Sequence, residues 1–116
     1  MPRNPKQILE EANTAVAEGD YERFLTYCTD DTKWVFEGDR TLSGKAAVRE
    51  YMAATYREPP EFTADRMIAE GDSVVAMGEI TLKDEDGQAT RYVYCDVWRF
   101  RGDKLPELHA FVTEPV

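Results

Sequence analysis

The chain is 116 residues long, about one domain's worth, and carries 14 Lys plus Arg against 23 Asp plus Glu, a formal charge of −9. Hydrophobic residues make up 42% and aromatic ones 11%, a globular and not a disordered composition. The acidic balance argues against nucleic acid and against an anionic membrane surface, since both need clustered Lys and Arg.

The residue inventory excludes more. Cys28 and Cys95 form no CxxC pair, so zinc and thioredoxin-like readings fail. With His109 as the only histidine, a histidine-rich metal site is excluded. There is no GxGxxG, P-loop or Ser-centred elbow, so no cofactor is expected. No apolar run follows Met1, so no signal peptide is expected. The longest apolar runs fall far below the roughly 20 residues that span a bilayer. The cytoplasm is the expected compartment.

Asn4-Pro5-Lys6-Gln7 starts a helix: Asn4 caps, Pro5 suits the first helical position, and Gln7 completes a capping box. Ile8, Leu9, Ala12, Ala15 and Val16 follow at helical spacing, and Gly19 stops the run. Asp20 caps a second, short helix carrying Tyr21, Phe24, Leu25 and Cys28, which Asp30-Asp31 breaks. Thr32 to Phe36 is a strand of aromatic and β-branched residues, and Glu37 to Leu42 is expected to be a polar loop. Ser43 is expected to cap a third helix, Ala46 to Tyr56, ended by Pro59-Pro60. From Glu61 onward the hydrophobic period changes to two. Four strands are predicted, roughly Phe62–Ala69, Ser73–Lys83, Gln88–Arg101 and Leu105–Thr113. Gly- and Asp-bearing turns join them as antiparallel neighbours. The chain therefore reads as one α+β domain over 1–116. A strongly bent, mainly antiparallel sheet wraps around three N-terminal helices, and the cone-shaped interior is the place for a small-molecule pocket.

Asp96 interrupts the aromatic and aliphatic run YVYCDVWRF. Alternation puts Tyr92, Tyr94, Asp96, Trp98 and Phe100 on one face, an aromatic wall with one acidic group. A carboxylate there is costly to bury unless paired or protonated. Two readings follow: a general acid, base or ligand anchor, or a structural aspartate bonded to a tyrosine hydroxyl or tryptophan N–H. On the preceding strand Val75, Met77, Glu79 and Thr81 share a face. Hairpin pairing that sets Met77 or Glu79 opposite Asp96 or Tyr94 would put a second carboxylate in the cavity, with paired acid/base roles. The other reading leaves Glu79 in solvent. Trp34 and Phe36 share a face of the first strand, and Tyr51, Met52 and Tyr56 lie on the third helix; core packing and pocket wall are both open to them. Val74, Ala76, Gly78, Ile80 and Leu82, with Val93, Cys95, Val97 and Arg99, are read as a second, outer face with apolar character. Such a face must be covered, which predicts a homodimer.

Three segments in order, AVAEGDYERFLTYCTDD (15–31), LSGKAAVREYM (42–52) and CDVWRFRGDKLPELHAFV (95–112), carry a family resemblance. The chain resembles the nuclear transport factor 2-like superfamily, in its SnoaL-like and ketosteroid isomerase-like branch, over about residues 7–114. The resemblance implies an α+β cone, a homodimer and a deep apolar pocket. It also implies functions ranging from isomerases, cyclases and dehydratases to non-catalytic binding or assembly modules. It turns Leu108 and Ala110 toward the pocket and His109 to the outer, dimer-forming face. Of the three ketosteroid isomerase positions, only the late-strand acid matches, at Asp96. The base position falls on Val35 and the tyrosine position on Ala12. The expected function is thus cofactor-free acid/base chemistry on a small apolar organic molecule, with Asp96 and Glu79 as the catalytic candidates. Trp34, Tyr51, Tyr94, Trp98, Met77 and Leu108 are the candidate ligand contacts. Steroid double-bond isomerisation is expected to be negligible, because loss of the base alone removes orders of magnitude in rate. A steroid assay giving turnover of roughly 10 per second, that of an ordinary enzyme, would overturn this.

Overall fold

A computed structural model describes residues 4–115; the two ends of the predicted domain, residues 1–3 and 116, lie outside the described residues. Helix α1 (Pro5–Ala17) starts as its sequence dictates. Asn4 Oδ1 accepts from the Gln7 N–H at 2.9 Å, and Gln7 Oε1 accepts from the Asn4 N–H at 3.2 Å. Helix α2 (Tyr21–Leu25) is capped by Asp20 and ends before Cys28. Helix α3 (Lys45–Thr55) is capped by Gly44, not Ser43: at φ 93° the backbone enters the helix through a conformation that suits glycine.

Seven strands make one sheet: β1 (Cys28–Phe36), β2 (Arg40–Ser43), β3 (Glu61–Phe62), β4 (Arg66–Glu70), β5 (Ser73–Lys83), β6 (Ala89–Arg101) and β7 (Lys104–Thr113). Their order is β2-β1-β7-β6-β5-β3, with β4 also on β5. Among the described residues only the β1–β7 pair is parallel. The bent, unclosed sheet packs on the three helices. The core sits between the layers, with Ile8, Leu9, Phe24, Val48, Met52 and Leu105 almost wholly buried.

Three expectations need correction. Asp30 and Asp31 do not break the second helix, which already ends at Leu25; they are exposed positions within β1, beside Lys45 and Arg101 at 3.4 and 3.5 Å. The polar loop after Phe36 is shorter than expected, because Arg40–Ser43 folds back on β1 as β2. The strand expected over Phe62–Ala69 is two strands, β3 and β4.

Register corrects the two faces of β5. Ala76 pairs with Asp96 and Val74 with Trp98, so Val74, Ala76, Ile80 and Leu82 share the inner face of Asp96. Met77 pairs with Cys95 and Glu79 with Val93, which places both on the outer face. The period-two pattern was correct and its assigned side was inverted, because both faces of β5 carry apolar residues.

Candidate functional site

Between the concave side of the sheet and the helices lies a cavity of about 320 Å³. Alternation along β6 delivers Tyr92, Tyr94, Asp96 and Trp98 to its wall. The first strand contributes Trp34 and Phe36, and α3 contributes Tyr51 and Met52. Trp34 ties the layers together by edge contacts. Its ring centroid lies 5.8 Å from Trp98, 5.9 Å from Phe24 and 6.2 Å from Tyr51, at angles from 68° to 87°. Trp34 is 4% exposed, and its indole N–H has no hydrogen-bond partner among the described residues.

Asp96 stands in this wall without support. Its cross-strand neighbours are Ala76 on β5 and Ala110 on β7, and neither brings a donor. Among the described residues Asp96 makes no hydrogen bond and no ion pair, and no Lys, Arg or His lines the cavity. Burial therefore pushes its carboxyl from 3.8 up to about 7. The Tyr94 phenol, two residues away on the same face, donates to the Thr63 carbonyl at 2.6 Å instead. Burial first, and then nearby Asp96, push that phenol up to about 12. Burial also raises Tyr51 and Tyr56, both of which sense Asp96.

A second acidic residue lines the same cavity. Asp39 occupies the turn of the β1–β2 hairpin, its N–H bonded to the Phe36 carbonyl at 3.0 Å, and it is exposed at the cavity wall. Beside it the Arg40 guanidinium lies over the Tyr51 ring at 5.2 Å. The site thus has one carboxyl that is partly buried and uncompensated and one open to solvent, and Tyr51 senses both.

The structure brings Asp96, Trp34, Tyr51, Tyr94, Trp98 and Leu108 together at the cavity. It does not bring Glu79 or Met77 there. Both point outward from β5; Glu79 accepts from Arg91 at 2.8 Å and Met77 is 38% exposed. The expected dyad of Asp96 and Glu79 is corrected accordingly. His109 is on the outer face, with Nδ1 3.3 Å from Glu37 and Nε2 3.5 Å from Glu107. Val35 pairs with His109 and Ala12 is wholly buried, and neither lines the cavity. Sequence reasoning missed Asp39 and Asn13; Tyr56, for which a pocket-wall role was open, lines the cavity with no hydroxyl partner among the described residues. The signal for Asp39 was Gly38-Asp39 between an aromatic strand and Thr41-Leu42, a hairpin turn composition. Among the described residues no cluster of His, Cys, Asp or Glu is placed to hold a metal, and no helix is long and apolar enough to cross a membrane.

A bent sheet on three helices with a cavity in its concave face defines a nuclear transport factor 2-like protein. The model of the SnoaL-like domain matches residues 9–108, and the chain belongs to that family. Solved structures share the fold at low identity. SalBIII, described as an epoxide hydrolase/cyclase-like enzyme of pyran ring formation in the polyether salinomycin, superposes with a TM-score of 0.86 at 20% identity, covering 96% of this chain and 95% of its own. An NTF2-like protein of unknown function from Burkholderia pseudomallei gives 0.80 at 19% identity, over 93% and 89%. TerC, co-crystallised with polyporic acid, gives 0.77 at 18% identity, over 91% and 88%. No curated protein matches the chain.

The Asp96 environment has a stability consequence. A raised carboxyl pKa means the native state holds the proton more tightly than the unfolded chain. Stability is then fullest below about pH 4 and falls as pH rises to about 7. The difference is on the order of 4 kcal/mol at about 1.4 kcal/mol per pH unit. Asp96→Asn, which keeps the shape and stays neutral, should raise the melting temperature at pH 8 and leave it nearly unchanged at pH 4. A clear loss of stability at pH 8 in that variant would mark Asp96 as a paired anion and overturn the assignment.

Proposed function

We propose that the cavity performs cofactor-free acid–base chemistry on a small, largely apolar organic molecule: an isomerisation, cyclisation or dehydration. The observation that carries this reading is the pair of carboxyls, Asp96 and Asp39, in contrasting environments of one aromatic cavity. Asp96, protonated up to about pH 7, gives its proton to a substrate oxygen. Asp39 takes a proton from a carbon or hydroxyl of the same substrate. The two transfers balance, and exchange with solvent at the cavity mouth resets both groups. Tyr56 supplies a second hydroxyl donor near Asp96, while Trp34, Tyr51 and Trp98 shape the apolar wall. The fold shared with SalBIII and TerC supports a small organic ligand. Two free thiols, Cys28 and Cys95, support a cytoplasmic location.

The working form is taken to be a homodimer through the outer sheet face. Ile68, Val75 and Val97 follow one another across that face, and Met77, Cys95 and Phe111 form the next row. Ile68 and Phe111 are each 48% exposed. An apolar strip of this continuity on a small domain favours a second copy as its cover.

Two experiments test these points. A panel of epoxy alcohols and hydroxy enones, offered to the protein, should include members that turn over. Asp96→Asn and Asp39→Asn should each slow them about 100-fold or more, with circular dichroism unchanged. Tight binding without turnover across the panel would instead make the domain a non-catalytic binding module. Light scattering at micromolar concentration should give twice 13.3 kDa; Phe111→Glu should halve it, and a monomeric wild type would rule out the dimer.

A further inference from the structure

The junction of β3 and β4 is irregular at the point where it passes the site. Phe62 pairs with Ile80 and Arg66 with Met77, so three residues, 63–65, oppose two, Gly78 and Glu79. That count defines a β-bulge, a device that re-aims groups near functional sites. The bulge is pinned at Thr63. Its N–H donates to the Glu79 carbonyl at 2.9 Å, and its Oγ1 accepts from the Glu79 N–H at 3.3 Å. The Thr63 carbonyl is thereby laid over Gly78, in the space a side chain would fill. A Cβ on Gly78 would overlap that oxygen. Directly across the ladder from Gly78 stands Tyr94, whose phenol reaches the vacated space and donates to the same carbonyl at 2.6 Å.

We propose that Gly78 is a positioning residue of the site: by admitting the bulge it hands the Tyr94 hydroxyl to Thr63 and leaves the Asp96 carboxyl unpartnered for the ligand. This role rests on Asp96 being the cavity's acid. The groups that face Asp96 are few. Tyr94 lies beside it on β6, Tyr51 and Tyr56 come from α3 and its cap, Asp39 comes from the β1–β2 turn, and β5 and β7 offer only Ala76 and Ala110. Of these, Tyr94 is the phenol nearest in sequence on the same face, and its proton is already committed. A phenol free to donate to Asp96 would stabilise the anion and draw its titration down toward the ordinary carboxylate range. The bulge prevents this without adding any group to the cavity.

The test is a carbon-13 titration of the Asp96 carboxyl in four proteins: wild type, Gly78→Ala, Tyr94→Phe and the double variant. The added methyl displaces the Thr63 carbonyl and frees the phenol, so Gly78→Ala should lower the Asp96 midpoint by about one pH unit or more. The double variant should return to the wild-type midpoint, because no phenol remains to turn. Tyr94→Phe alone should leave the midpoint where it was. An unchanged midpoint in folded Gly78→Ala, or an equal fall in the double variant, overturns the proposal. Should Gly78→Ala not fold, Tyr94→Phe decides: a rise of about one unit would show that the phenol already serves Asp96. The wild-type midpoint judges Asp96 as the acid, and the differences between variants judge the role of Gly78.

Discussion

Asp96 sits between two alanines, Ala76 across one ladder and Ala110 across the other, and what the cavity can do follows from that pairing. Small neighbours make room above the sheet, and they bring no donor and no charge. Larger apolar residues at both positions would fill the space; a lysine or serine at either would satisfy the carboxyl. With alanine on both sides, the carboxyl is left to the cavity and whatever enters it. Desolvation then has no opponent, and the neutral acid persists to about pH 7.

The surrounding rings make this arrangement tolerable for the fold. Trp34 joins Phe24, Trp98 and Tyr51 in edge contacts that bind α2, β1, β6 and α3 into one cluster. Each such pair adds about 0.5–1.5 kcal/mol beyond the area it buries. The three contacts together offset part of the cost of one uncompensated carboxyl. The same rings line the cavity around Asp96 and desolvate its carboxyl, so the contacts that support the fold also raise the pKa of the site's acid. Stability and chemistry are coupled through Trp34 and Trp98, which are both at most 5% exposed.

Much of this was legible in the sequence, and the illegible part has physical causes. The face carrying Tyr92, Tyr94, Asp96 and Trp98 follows from alternation alone, since the polar residue stands out among rings. The side taken by Glu79 did not follow. Val74, Ala76, Ile80 and Leu82 are apolar, but so are Val75 and Met77, and a period of two does not say which set faces in. Register settled it, and register is set by pairing with β6, a contact between chain segments that no local pattern encodes. The β1–β2 hairpin was hidden because Arg40–Ser43 is short and polar, and Asp39 was hidden with it. The bulge at 63–65 left one trace, Gly78 inside an otherwise regular strand, which marks a close approach of another backbone.

The distinction between an enzyme and a binder comes down to what an apolar ligand would ask of the cavity. An apolar ligand held only by shape gains nothing from a carboxyl that destabilises the empty protein near neutrality. Leucine or asparagine at position 96 would serve such a module better, the first by packing and the second by remaining uncharged. The carboxyl has value only where its proton is used: donated as a hydrogen bond to a ligand oxygen, or transferred outright. Transfer needs a second group to take a proton elsewhere on the same molecule, and in the proposed reading Asp39, which lines the cavity, is that group. A partly buried, uncompensated acid and an exposed carboxyl at one cavity, with no Lys, Arg or His in its lining, are therefore what supports the proposed proton chemistry over simple retention.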